Sequence, residues 1–244
     1  MRTLKTIRTL PSPLAQRLQK KTAKQSDWKN FRGDDKKTIY HLLASNQCHL
    51  CAYCEINLDF KLDNNLELGA HIEHVVPRNI QPERSFDYTN FVLSCFKEMN
   101  VNILSYDEVT CGHYKDRENR KNGMSYDEKL FISPLDPDCQ RYFIYDPNGR
   151  IRPHPKLSAQ EQVRATYTIN LLGLNNKRLV RLRRERLETL IPIIDELQNE
   201  PDALRHFADM ELCLTGEHLQ PFHSACLQQF GALGREIVKQ CLDE

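Results

Sequence analysis

Cys51-x-x-Cys54, followed within one stretch by Cys95 and Cys111, is the pattern that most limits what this 244-residue chain can fold into. The tight turn inside C-x-x-C offers two thiolates to one ion. Two more cysteines complete a tetrahedron of soft ligands, with zinc–sulfur distances of ~2.3 Å. Residues 48–116 need such a staple, because Cys, His, Asn and Asp are frequent there, apolar runs are short and no helical period is sustained. A strand-poor module of this kind draws folding energy from its metal. Cys48 forms an overlapping C-x-x-C with Cys51 and competes for one ligand position. Nine cysteines, an odd number, fit a full disulfide framework poorly. Cys139, Cys213, Cys226 and Cys241 read as core thiols.

Between the cysteine pairs lies His71-Ile-Glu73-His74-Val-Val-Pro77. Glu73 is a hard oxygen ligand suited to Mg²⁺, and His74 is a base that titrates near neutral pH. Strand alternation sends neighbouring side chains apart, so the two share a site only where the backbone bends. Asn90 offers a neutral carbonyl oxygen five residues before Cys95. Cys111-Gly-His113-Tyr-Lys115 adds an imidazole and a cation.

The order of these residues resembles the zinc-bearing HNH nucleases, the ββα-metal or His-Me finger family. That pattern has C-x-x-C, Asp/Glu-His-x-x-Pro, an Asn five before a Cys, and a last Cys with Lys four positions on. Cys51-Ala-Tyr-Cys-Glu55, His71-Ile-Glu-His74, Cys111-Gly-His-Tyr-Lys-Asp116, the Ile-Ser-Pro-Leu stretch and Ile169-Asn-Leu-Leu-Gly-Leu-Asn175 are together similar to the PtuB family. PtuB proteins are the HNH endonuclease subunits of Septu and retron-linked anti-phage systems. The resemblance implies zinc on Cys51, Cys54, Cys95 and Cys111. It implies His74 as general base, and a catalytic Mg²⁺ or Mn²⁺ on Glu73 and Asn90, with His113 a further candidate ligand. His71 and Lys115 are candidates for supporting roles. It also implies a nucleic-acid substrate, DNA before RNA such as tRNA, and a PtuA-like ATPase partner. A retron reverse transcriptase with its non-coding RNA/DNA is a further partner. The sequence departs from the family in two places: fifteen residues separate Cys95 from Cys111, and Gly112 stands where a final His or Asn usually follows the last Cys.

The formal net charge of +1 averages unlike pieces. Residues 1–37 carry eleven Lys and Arg against three Asp, and the remainder carries 23 against 30 acidic groups. A second basic cluster runs from Lys177 to Arg186. Both clusters, with Lys115, Arg117, Arg120 and Lys121, are candidate phosphate contacts.

The patterning predicts an α+β chain: a zinc-stapled ββα-metal module with a β-hairpin, followed by a mainly α-helical C-terminal region. The expected division is a basic arm and short helix (1–46), a four-cysteine zinc HNH module (47–125), a hairpin extension (126–157) and a helical region (158–244), a candidate partner-binding scaffold. Thr38–Asn46 reads as a helix. Leu130–Pro153 reads as a β-hairpin, with Leu130–Leu135 and Arg141–Tyr145 as aromatic or β-branched strand runs and Asp146-Pro-Asn-Gly149 as turn chemistry. Ser158-x-x-Glu161 is a capping box, Gly173 a stop, and Pro192 a kink in a helix beginning near Asn175. Residues 202–214 and 222–242 read as two more helices. No apolar run approaches the ~20 residues a membrane span needs, and no signal peptide is evident, so a cytoplasmic, bacterial protein is expected. A non-catalytic zinc module that binds nucleic acid or protein is the alternative. A thiol oxidoreductase fits worse, since no βαβ pattern surrounds Cys51 and Cys54.

Overall fold

Two short hairpins and seven helices make up the regular structure of the described residues. The computed structural model describes residues 1–5, 10–19, 28, 30–61, 67, 69–97, 104, 108–116 and 124–242. Arg117, Arg120 and Lys121 lie outside this set.

Near the N-terminus, α1 (Ser12–Gln19) buries Leu14 and Leu18, which sit one turn apart on a single face. Helix α2 (Asp34–Asn46) begins with two acidic residues that complement its dipole, and buries Ile39, Leu43 and Ala44. Arg17 holds Asp35 with two guanidinium nitrogens and so ties α1 to α2.

Strand β1 (Ala70–His74) pairs antiparallel with β2 (Phe91–Cys95), from Ala70 opposite Cys95 to His74 opposite Phe91. The short helix α3 (Cys111–Lys115) packs on β2, completing a ββα unit. All five residues of β2 are buried, which explains why it reads as an unbroken apolar run rather than an alternating strand.

The second hairpin joins β3 (Phe143–Tyr145) to β4 (Ile151–Pro153) through the Asp146–Gly149 turn. The strand expected over Leu130–Leu135 is absent, and those residues form turns. Their apolar side chains are covered by a helix instead of a partner strand: the Ile132 amide donates to Thr168 Oγ1, and Phe131 and Ile132 are buried.

Helix α4 (Ala159–Leu171) opens on the capping box of Ser158 and Glu161, with both reciprocal hydrogen bonds formed. Helix α5 (Lys177–Leu197), capped by Asn176, runs through Pro192 without ending. Pro192 is exposed, so the carbonyl left without its amide partner faces water. The cations of α5 divide between buried packing and exposed ion pairs. Arg183, 1% exposed, donates to the Gly149 and Leu174 carbonyls and lies over the rings of Tyr145 and Phe222. Arg178 covers Phe96 and donates to the Glu108 carbonyl. Arg186 pairs with Glu211, while Arg181 and Arg184 pair with Glu185 and Glu188. Gly149 is required here, because a Cβ would stand 2.1 Å from the Val180 carbonyl oxygen.

Helix α6 (Pro201–Leu212) packs on α7 (His223–Leu242), whose helical backbone breaks at Gly231. The break turns the second half of α7 back toward the end of α6, where Cys213 and Cys241 form a disulfide. These two cysteines are therefore not free core thiols, whereas Cys139 and Cys226 are. One hydrophobic cluster extends from Met1 and Leu4 through the ββα unit to Ile237. No helix among the described residues is long and apolar enough to cross a membrane.

Candidate metal centre and active site

Cys51 and Cys54 lie on a turn closed by the bridge between Leu50 and Asn57, Cys95 ends β2, and Cys111 starts α3. Folding brings their four sulfurs within 4.8 Å of one another, all buried and none in a disulfide. The Cys95 amide points at Cys51 Sγ at 3.3 Å, a donor that favours thiolate. Burial disfavours ionisation of Cys51, but hydrogen bonds from Cys111, Cys54 and Cys95 outweigh it and hold this thiol well below its ordinary value. Burial pushes Cys95 and Cys111 well up. Four converging buried sulfurs are the donor set of a structural zinc site, and a dication would offset the cost of burying their thiolates. Cys48 is not in the cluster; its sulfur lies 3.5 Å from an Arg2 nitrogen.

Alternation along β1 puts His71 and Glu73 on one face, toward α3. Gly112 on α3 meets that face without a side chain, and a Cβ there would lie 2.5 Å from Glu73 Cδ. The family departure at this position has a steric cause: the space belongs to the Glu73 carboxylate. Glu73 Oε1 forms an ion pair with Lys115 Nζ at 2.9 Å, and Oε2 faces His71 Nε2 at 3.3 Å. Burial opposes ionisation of Glu73, yet Lys115 and His71 bring its carboxyl down to about 2. His71 Nδ1 and His113 Nε2 both donate to the Phe96 carbonyl, at 2.8 and 3.0 Å, and the two rings lie 3.9 Å apart. Phe96 has φ 74, a left-handed conformation that turns this carbonyl toward both imidazoles. With Nδ1 donating to the carbonyl, Nε2 faces the Glu73 carboxylate. Burial opposes a charge on His71, but the hydrogen bond and charge of Glu73 outweigh it and raise the His71 pKa, so Nε2 carries a proton toward Glu73 until a metal replaces it. Among the described residues, none donates a well-aligned hydrogen bond to Glu73 Oε1. An ionised carboxylate, an imidazole nitrogen beside it that becomes a ligand on losing its proton, and the cradle left by Gly112 fit one divalent cation.

Lys115 is 1% exposed and stands behind Glu73, donating to the His74 carbonyl and to Asp116. It fixes the site from within and does not face the cleft.

His74 ends β1, where the chain bends. Its Nε2 lies 3.0 Å from the Ser85 carbonyl oxygen, which only accepts, so Nε2 carries the proton and Nδ1 the lone pair. Trp28 packs edge-on against the imidazole at 4.5 Å, and Phe91 lies behind it at 5.0 Å. Burial lowers the His74 pKa to about 4, leaving the ring neutral at physiological pH.

Asn90 is not placed as a ligand. Its Oδ1 accepts from the Val76 amide and its Nδ2 donates to the Val76 carbonyl, so both ends of the side chain clamp the bend after His74. Asn90 borders a smaller cavity on the other side of this loop, not the cleft that holds Glu73 and His74.

That cleft, of about 1160 Å³, is lined by His71, Glu73, His74 and His113 together with residues of α2. Arg32, Lys36, Lys37, Arg78 and Lys97 also line it, against the carboxylates of Glu73 and Asp116. Three contributions escaped sequence reasoning: the Ser85 carbonyl, the Phe96 carbonyl and Trp28. Only Trp28, the single tryptophan of the chain set within a basic arm, carried a signal.

No family model matches the chain. A Vibrio cholerae serotype O1 biovar El Tor protein of retron Vc95, whose name provisionally calls it an HNH endonuclease, is 32% identical over 162 residues, 65% of this chain and 68% of that protein. An Escherichia coli protein of retron Ec83, named in the same way, is 26% identical over 186 residues, 66% of this chain and 70% of that protein. With the ββα unit, the four-cysteine cluster and the Glu73–His74 pair in place, this similarity identifies the chain as a member of the family of retron-associated HNH endonucleases.

Proposed function

We propose that this protein is a metal-dependent endonuclease that hydrolyses phosphodiester bonds of nucleic acid, with His74 as general base. The observation that carries the reading is the tautomer imposed on His74. A carbonyl holds Nε2–H, leaving Nδ1 unprotonated on a ring that lines the same cation-lined cleft as the ionised Glu73. Nδ1 takes a proton from water as that water attacks phosphorus, and the 3′ oxygen leaves. Glu73 and His71 hold one divalent ion, Mg²⁺ or Mn²⁺; when bound, it supplies Lewis-acid stabilisation of charge on the phosphate and the leaving oxygen. Asn90 and Lys115 are positioning residues, one for the bend that carries His74 and the other for the Glu73 carboxylate. His113 buttresses His71. Zinc on Cys51, Cys54, Cys95 and Cys111 holds β2 and α3 in register with β1 and takes no part in the chemistry.

The retron names of the relatives support a place in a retron-type defence system. We assign the chain to the PtuB type found in Septu systems, as a toxic effector controlled by a PtuA-like ATPase, with residues 158–244 as the scaffold for that partner.

Plasmid and total-RNA cleavage with Mg²⁺, Mn²⁺ or EDTA tests the reading and decides the polymer. Wild-type protein cleaves only with a divalent ion, and His74→Ala loses at least about 10²-fold while staying folded. Cleavage by His74→Ala at the wild-type rate refutes the base assignment. No cleavage by either protein, with nucleic-acid binding intact, leaves a zinc-bearing binding module.

A further inference from the structure

We propose that α2 is a strand-holding platform, and that the substrate enters the cleft as a single-stranded segment of nucleic acid. The inference rests on the endonuclease reading of the cleft and adds which form of the polymer the cleft admits.

Lys36 and Tyr40, and likewise Lys37 and His41, are one helical turn apart and thus neighbours on one face of α2. All four line the same cleft as Glu73 and His74, with Arg32 just before the helix. This face alternates ammonium groups with rings: Tyr40 is half-buried, His41 exposed, and their rings meet edge to face at 5.9 Å. Cations that track a phosphate backbone and rings that stack on bases are the two components of single-strand binding, and stacking is open only to unpaired bases. Lys37 pairs with Asp34 at 3.8 Å, both side chains exposed, so that contact is weak and yields readily to a phosphate.

Depth and size favour the same substrate. His74 and Glu73 are 4% and 3% exposed, so a scissile phosphate must descend into the cleft to reach them. A cleft of about 1160 Å³ is little larger than the ~300–1,000 Å³ cavities that enclose small ligands, and holds a short flexible strand rather than a duplex turn.

The test reads binding separately from cleavage. Fluorescence anisotropy with His74→Ala protein would use labelled single-stranded DNA, single-stranded RNA and duplex DNA oligonucleotides across a salt series. We expect single strands to bind at least tenfold tighter than duplex, with the two single-strand arms showing whether DNA, RNA or both are held. Adding Lys36→Gln and Lys37→Gln should weaken single-strand binding about tenfold and flatten its salt slope by one to two contacts. Adding Tyr40→Leu and His41→Ala should cost at least about fivefold on single strands and leave duplex binding unchanged. Circular dichroism and zinc content would establish that each variant is folded. Equal duplex affinity, or platform variants that bind single strands as well as the parent does, overturns the proposal. If binding follows these expectations but the wild-type chain cleaves nothing, the platform stands and the endonuclease reading falls.

Discussion

At the scale of single residues, the active site is held together by groups that contribute no chemistry of their own. Gly112 is the sharpest case, because its missing side chain is what lets α3 approach the Glu73 carboxylate. Gly112→Ala should displace that carboxylate by about an ångström and lower cleavage about 10²-fold, with zinc content and helical signal unchanged. A variant as active as the parent would show that the close approach is not needed. The clustering of Cys51, Cys54, Cys95 and Cys111 was legible in the sequence, because metal chemistry restricts residue types and spacing tightly. Asn90 was legible as important, but not in its role. Its partners are the amide and carbonyl of Val76, and backbone groups leave no trace in residue identity. Lys115 was likewise visible as a cation, whereas its burial depends on α3 packing against β2.

At the scale of elements, β1, β2 and α3 are too short to be stable alone, and the cysteine cluster is what joins the knuckle, β2 and α3. Metal analysis should find close to one zinc per chain. Cys54→Ser should lose that zinc together with the cooperative unfolding transition, since one weakened ligand removes most of a structural site's contribution. A folded, zinc-free Cys54→Ser protein would show that hydrophobic packing suffices. The helices were largely readable: the capping box of α4, the start of α5 near Asn175 and the stop at Gly173 fell where local signals put them. Leu130–Leu135 was misread because a short apolar run looks the same whether a strand partner or a helix will cover it.

At the scale of the whole molecule, the cysteine knuckle is tied directly to the helical half. Both oxygens of the Glu55 carboxylate accept hydrogen bonds from Ser224, and the Glu55 carbonyl accepts from the Phe222 amide. Burial would raise the Glu55 pKa, but the Met1 ammonium and the Ser224 bonds outweigh it and hold the carboxyl at about 2, against an ordinary 4.5. The folded value lies below the unfolded one, so this contribution is complete above pH 4.5 and is lost as pH falls toward 2. Thermal unfolding followed over that window should show a decline that Glu55→Gln abolishes, with the variant less stable at neutral pH by about 1–3 kcal/mol. Parallel pH profiles for the two proteins would remove Glu55 from the joint. None of this was visible in the sequence, where Glu55 reads only as a charge beside a cysteine. The charge count misled in a similar way. Within the basic cluster of α5, Arg178 and Arg183 turned inward to rings and carbonyls, while Arg32, Lys36 and Lys37 of the N-terminal stretch came to line the cleft.

Trp28, packed 4.5 Å from the His74 ring, is the chain's single tryptophan. All indole emission therefore originates beside His74, the proposed general base, and the protein carries an optical reporter of its own cleft. Entry of a strand, loss of the zinc staple or a shift of the Phe31, Phe86 and Phe91 cage around the indole each changes that one signal. Substrate engagement can then be timed in the unlabelled molecule, before any bond is cut.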